Sequence, residues 1–209
     1  TRLLAEELGE NGFSITEARR SADKANAQVH RAATVIRKLR DLIQTGRIEK
    51  SPVLVADVFE SVLAVMAPEL RRAGVSVATR IEPRSAVIIV DVLQIEQVLI
   101  NLLRNACDAI ESAGHGGGQA TFSAIRTSEN DLEIVVGDSG PGFQAEQLRS
   151  PFIPFNTTKA GGLGIGLSLC RSIIERHDGR IWLQNGPVGA EVHFTLTCSG
   201  ADSDEEVSR

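Results

Sequence analysis

Two asparagines four residues apart, Asn101 and Asn105, stand inside "VLINLLRNACDAI" (98–110), a stretch whose apolar spacing otherwise predicts a helix. Asn is a poor residue for a helix interior, because its amide competes for backbone hydrogen bonds. At that spacing the two share one face, which Gln94, Gln97 and Asp108 extend. Ile95, Val98, Leu99, Leu102, Ala106 and Ile110 make the opposite, apolar face. A solvated face ordinarily carries Lys, Glu and Arg. An amide-rich face offers oxygen ligands with little charge, which suits a hard cation such as Mg²⁺ that keeps waters and phosphates in its other positions. A stripe that hydrogen-bonds a neighbouring loop has the same composition, so the stripe alone leaves both readings open.

Two glycine-rich segments follow. "GDSGPGF" (137–143) comes directly after an apolar strand pattern. There Asp138 can accept from the amino group of a base such as adenine, while Gly140 and Gly142 let the backbone approach a planar ring. An ordinary Asp/Gly/Pro turn reads the same way. In "TTKAGGLGIGLSLCRSIIERHDG" (157–179), Gly162, Gly164 and Gly166 lead into an apolar-periodic helix. The exposed amides at such a helix start suit an anion, and Thr157, Thr158 and Lys159 add hydroxyls and a cation for phosphates. Neither GxxxxGK[ST] nor the dinucleotide GxGxxG fingerprint is present.

These segments need elements to hold them. Over 51–198 the pattern reads as an α+β domain, one sheet covered by helices. A helix is expected over 53–73, ending at Gly74, then strands at "VSVATRIE" and "AVIIV". Asp91 is placed to cap the helix of the asparagines. "QATFSAIRT" and "DLEIVVG" read as consecutive antiparallel strands, and a loop-rich section runs over 138–162. A helix to about His177 and the strand pair "RIWLQN" and "AEVHFTLT" complete the domain. Eleven of the nineteen glycines fall between Gly114 and Gly166, which locates the functional loops.

Ahead of it, over residues 1–50, Ala22, Ala25, Val29, Ala32, Ile36, Leu39 and Ile43 repeat at alternating spacings of three and four, a heptad seam. A helix over 16–45 would be about 45 Å long and too one-sided to stand alone. It predicts a helical hairpin whose first helix is truncated at "TRLLAEEL", and a homodimer through the seam. The tail 199–209 is polar and acidic and is expected to be disordered.

A net charge of −5 argues against nucleic-acid binding, and no apolar run is long enough to span a membrane. Cys107, Cys170 and Cys198 are far apart, lack zinc spacing and read as buried, reduced thiols of a cytoplasmic protein.

Taken in order, the motifs resemble the catalytic, ATP-binding domain of bacterial sensor histidine kinases, within the superfamily shared with gyrase B, Hsp90 and MutL. "QVLINLLRNACDAI" is similar to that family's N box, "DSGPGF" to its G1 box, "PFIPFNTTK" to its F box and "GGLGIGLSLCRSIIERHDGRI" to its G2 box. The resemblance covers 52–197, and the heptad helix resembles the second helix of the family's dimerisation and phosphotransfer hairpin. The short stretch between Phe155 and Gly162 implies a short ATP lid, and this texture resembles the oxygen-sensing and dicarboxylate-sensing kinases.

The resemblance implies a two-layer α/β sandwich that binds ATP and Mg²⁺. Asn105 would hold the metal with Asn101 beside it, and Asp138 would take the adenine amino group with Gly140 and Gly142 lining the base. Thr157, Thr158 and Lys159 would face the phosphates. Gly162, Gly164 and Gly166 would form the lid hinge, and Leu163 and Leu167 would join the nucleotide-binding set. Asp108 stands where many relatives carry a basic residue, which suits a water-mediated metal role. The ATP-hydrolysing members place a Glu one turn before the metal-binding Asn, and Asn101 lacks that basicity. Transfer to a protein group, not to water, is therefore expected.

The family's phosphoacceptor is a His followed by an acidic residue. His30, His115 and His193 have no such neighbour, and His177, although Asp178 follows it, lies near the end of a helix in the ATP-binding domain and not on a hairpin helix, so the acceptor is expected upstream of Thr1. The resulting expectation is a protein-histidine kinase core, inactive by itself in autophosphorylation, that serves the receiver domain of a response regulator. A superfamily ATPase or serine-directed kinase, and a catalytically silent nucleotide-binding dimerisation module, are the alternatives.

Overall fold

The structure of the protein, a computed structural model, describes residues 48–114, 116–154 and 164–199, together with Arg20 and Asp23. The chain divides into two units, Thr1–Gln44 and Thr45–Arg209. Of the first, Arg20 and Asp23 are helical and exposed. The heptad seam, the hairpin, His30, His115, Thr157, Thr158, Lys159, Gly162, Leu163 and the acidic tail from 200 onward lie outside the described residues.

Two layers build the second unit. Five strands, β2 (Val75–Glu82), β4 (Gly118–Arg126), β5 (Asp131–Asp138), β6 (Ile181–Asn185) and β7 (Ala190–Thr197), form a mixed sheet in the order β2-β4-β5-β7-β6. The β2–β4 pair is parallel and the other pairs are antiparallel. Against one face lie α1 (Val55–Ala73), α2 (Val92–Ser112) and α4 (Gly166–Arg176), while α3 (Ala145–Arg149) is a single short turn of helix. The expected two-layer α/β sandwich is the observed one.

Alternation decides which strand residues face the helices. Ala120, Phe122 and Ala124 of β4, Leu132, Ile134 and Val136 of β5, and Val192, Phe194 and Leu196 of β7 are buried. The register sets Phe122 beside Val136, Val136 beside Val192 and Ile134 beside Phe194, so one apolar layer runs across the sheet. The helices answer with Val58, Phe59, Val62 and Met66 from α1, the six predicted apolar residues of α2, and Leu169, Ile173 and Ile174 from α4. Phe59 packs on Phe122 with ring centroids 5.0 Å apart. Each such fully buried side chain contributes roughly 1.5–3 kcal/mol.

Two expectations are corrected. The helix read from 53 begins at Val55, because Ser51–Leu54 is a strand, β1, paired antiparallel with β3 (Val87–Val90). Pro52 biases its neighbours toward extended backbone and lacks the N–H a helix would use. The section read as loop over 138–162 contains α3, whose start is fixed by Gln144 and Gln147 in a reciprocal capping box. Pro68 stands inside α1 on its exposed side, where water can take the carbonyl that the missing N–H leaves free.

His177 ties the far ends of α4 and α2 together. It is 1% exposed, its Nδ1 donates to the Ile173 carbonyl at 2.8 Å, and its Nε2 accepts from the Asp91 N–H at 3.0 Å. The bond accepted at Nε2 needs a neutral ring, and burial holds its pKa below the usual 6.5. As pH falls through 6.5 the unfolded chain therefore takes up a proton that the folded chain refuses. Stability is expected to drop from that pH downward until folded His177 also protonates. Thermal midpoints between pH 7.5 and 5 test this; His177→Gln should flatten the slope, and an unchanged slope would assign it to other groups.

Candidate functional site

Helix α2 is capped as expected: the Asp91 carboxylate accepts from the Gln94 N–H at 3.2 Å. Its apolar residues Ile95, Val98, Leu99, Leu102, Ala106 and Ile110 are buried. The polar stripe of Gln94, Gln97, Asn101, Asn105 and Asp108 is half-buried throughout, as a wall of a cleft would be.

The two asparagines do different things. Asn101 Nδ2 donates to Cys170 Sγ on α4 at 3.2 Å. Gly166, the first residue of α4, comes so close that a Cβ there would stand 2.8 Å from Asn101 Oδ1. Asn101 thus seats the start of α4 against α2. One turn later, the Asn105 side chain makes no hydrogen bond among the described residues. One turn later again, Gly140 presses on Ala109, where an added Cβ would meet the Ala109 Cβ at 3.1 Å. The two contact points are eight residues apart on α2, about 12 Å along its axis. Asn105 sits midway between them, with its amide uncommitted.

The loop on one side of this gap leaves the sheet at Asp138, on the helix-facing side of β5 by its alternation with Val136. Asp138 Oδ1 accepts from the Gly140 N–H at 2.8 Å, which turns the chain sharply. The Ser139 N–H bonds the Gln119 carbonyl at 2.9 Å, and Ser139 Oγ accepts from the Gln119 N–H at 2.9 Å, fastening the loop to β4. Gly142 has φ +78, a left-handed conformation natural to glycine. On the other side of the gap, α4 starts at Gly166 after Ile165, with no side-chain cap. Its first amides have no helical partner. Gly164, with φ +62, is the last residue of the approach, and Leu167 is half-buried on the first turn.

The donor set fits a hard divalent cation held largely by phosphate and water. Asn105 supplies a half-buried amide oxygen and Asp108 lies one turn on, with no imidazole or free thiolate in the stripe. Among the described residues no group of three His, Cys, Asp or Glu could hold a metal by itself. Cys107, next to the stripe, is buried, and that burial pushes its thiol pKa up to about 11, so it is inert at neutral pH. All three cysteines are buried and none is in a disulfide, as expected.

Several positioning residues were not visible beforehand. Cys170, Ala109, Asn185 and Gly189 shape the gap through contacts between residues far apart in sequence. His193, read from sequence as having no acidic neighbour, has two: Glu191, two residues before it on β7, and Glu133 from β5. Its Nδ1 lies 2.7 Å from Glu133 Oε1 and its Nε2 lies 3.1 Å from Glu191 Oε2, with the ring stacked on Trp182. It alternates with buried Val192 and Phe194, so it lies on the sheet face away from the helices. With both nitrogens engaged there, it is unsuited to accept a phosphoryl group.

Comparison with known proteins identifies the family and the fold. Residues 90–199 match the family model described as histidine kinase-, DNA gyrase B-, and HSP90-like ATPase. The sensor protein FixL of Bradyrhizobium diazoefficiens is 34% identical over 196 residues, which are 93% of this chain and 38% of that protein. The C4-dicarboxylate transport sensor protein DctS of Rhodobacter capsulatus is 35% identical over 185 residues, 88% of this chain and 28% of that one. The chain therefore spans well under half the length of these curated relatives. The catalytic domain of histidine kinase ThkA superposes with a TM-score of 0.64 at 29% identity, over 71% of this chain and 95% of that one. ThkA in complex with the response regulator protein TrrA shares the fold, with a TM-score of 0.71 at 22% identity over 93% of this chain and 55% of that one. The stretch from the last residue of β3 through α2, the Asp138 loop and α4 to the end of β7 carries the match, and the chain belongs to the family of histidine kinase-, DNA gyrase B-, and HSP90-like ATPases, homologous to sensor histidine kinases.

Proposed function

We propose that this chain is the ATP-binding core of a two-component sensor kinase. It would pass the γ-phosphoryl group of Mg-ATP to a histidine upstream of Thr1, for relay to an aspartate of a response regulator. One observation carries the reading: Asn105 stands uncommitted midway between the Asp138 loop and the uncapped start of α4. The base would lie at the Asp138 end, with Gly140 and Gly142 against its plane. The triphosphate would run toward the amides of Gly166 and Leu167, and Thr157, Thr158, Lys159, Gly162, Leu163 and Gly164 would complete the nucleotide-binding set that the sequence implies. Mg²⁺, when bound, would neutralise phosphate charge. Asn105 would hold it, with Asn101 and Asp108 to either side.

The chain's own residues favour transfer over hydrolysis. Asn101 has no basicity to activate water, and its nitrogen is already given to Cys170. The heptad seam would supply a homodimer that brings the core to a hairpin helix, in the cytoplasm. The test is incubation with γ-labelled ATP of this chain and of a longer one that restores the upstream helix. Acid-labile label on the longer chain alone, transferable to a receiver aspartate, is expected. Steady phosphate release without label would favour a superfamily ATPase, and no nucleotide binding would favour a silent dimerisation module.

Gly166 gives a separable prediction. In Gly166→Ala the added Cβ must push Asn101 aside, since it would stand 2.8 Å and 2.9 Å from its Oδ1 and Nδ2. Alanine also restricts the unfolded chain, worth about 0.4–1 kcal/mol at a compatible backbone position, which offsets the lost contact. Thermal stability should hardly change while ATP affinity falls about tenfold, the size of one misplaced hydrogen-bonding group. Unchanged affinity would show that the start of α4 does not touch the ligand.

A further inference from the structure

The Asp138 loop is gripped from outside by a hairpin that the nucleotide would not touch. Asn185, the last residue of β6, lies at an exposed strand end. Its Oδ1 accepts from the Phe143 N–H at 2.7 Å, and its Nδ2 donates to the Phe143 carbonyl at 3.0 Å. One side-chain amide thus makes both bonds that a neighbouring strand would make to Phe143. Gly142 lies directly over this amide, where a Cβ would stand 2.9 Å from Oδ1. The exit of the loop is therefore fastened through Asn185.

The same hairpin backs the entrance. Its turn closes with the Gly186 N–H on the Gly189 carbonyl at 2.8 Å. Gly189 is buried against the carbonyls of Asp138 and Gly140, and a Cβ there would collide with the first. With Ala109 of α2 on its inner side, the loop is held at both ends and from within.

We propose that Asn185 is a positioning residue for base recognition: by clamping Phe143 it holds Gly140, Gly142 and the Asp138 carboxylate in the geometry that takes an adenine ring. The proposal rests on the nucleotide reading above. The residue faces no apolar core, so its loss costs the fold little. Only an amide of this length can donate and accept at once on one peptide unit.

The experiment separates the base from the phosphates. A fluorescent ATP analogue is displaced from the full chain, in Mg²⁺, by adenosine or by inorganic tripolyphosphate, for wild type and Asn185→Ala. Adenosine affinity is expected to fall about tenfold, as for two surface hydrogen bonds lost from one loop, with tripolyphosphate within about twofold of wild type. Both competitors weakening together, or neither, would overturn the proposal, since a merely structural role has no reason to favour one end of the ligand. Asn185→Ser keeps one hydrogen bond and makes the same comparison, with a smaller loss, should the alanine chain fail to fold. Wild type that binds neither ATP nor adenosine would remove the nucleotide reading itself and this proposal with it, an outcome visible before any variant is made.

Discussion

Asn105→Ala is expected to lower ATP affinity in Mg²⁺ by about 100-fold, the loss typical of removing a group that holds or supports a metal. It should also erase most of the difference between titrations with and without Mg²⁺. The same substitution should leave the fold no weaker. Asn105 is half-buried and its side chain makes no hydrogen bond among the described residues, so nothing in the protein is left unpaired by its removal. Alanine is the better helix former by roughly 0.5 kcal/mol. A chain that becomes slightly more stable as it loses its ligand is the signature of a residue kept for chemistry. If Asn105→Ala lowered the thermal midpoint and left the affinity of the folded chain intact, the amide would be structural and the account wrong at its centre.

Asp138→Ala should weaken adenosine and ATP by about 100-fold, as expected where a hydrogen bond to a charged group is lost and its loop loosened. Two functions are removed at once. The carboxylate would accept from the amino group of adenine, and Oδ1 already accepts from the Gly140 N–H at 2.8 Å. Guanine presents a carbonyl at the position of that amino group, so wild type should prefer ATP to GTP and Asp138→Ala should lose the preference. Equal binding of ATP and GTP by wild type would show that Asp138 does not read the base.

Local pattern carried the elements well. The spacing of Ile95, Val98, Leu99, Leu102, Ala106 and Ile110 identified the buried face of α2, and all six are buried. Alternation in "DLEIVVG" and "AEVHFTLT" located β5 and β7. β1 was missed because four residues around Pro52 gain their order only by pairing with β3. α3 was missed because five residues have no room for a helical period.

The polar stripe itself was legible, but not the division of labour within it. Asn101 and Asn105 are alike in sequence, and only the approach of Gly166 and Cys170 separates a packing amide from an uncommitted one. Asn185 reads in sequence only as the end of the strand "RIWLQN", since its clamp on Phe143 spans 42 residues of chain. His193 gave no local hint of Glu133, which the register brings to it from β5. Contacts of this kind follow from tertiary structure, and no short window contains them.

The most direct measurement is a calorimetric titration of ATP into the full 209-residue chain, with and without Mg²⁺. The account predicts one saturable site per chain that requires Mg²⁺ for full affinity and that adenosine empties. No saturable binding, or binding indifferent to Mg²⁺ and to adenosine, would contradict an ATP site built on Asn105 between the Asp138 loop and α4.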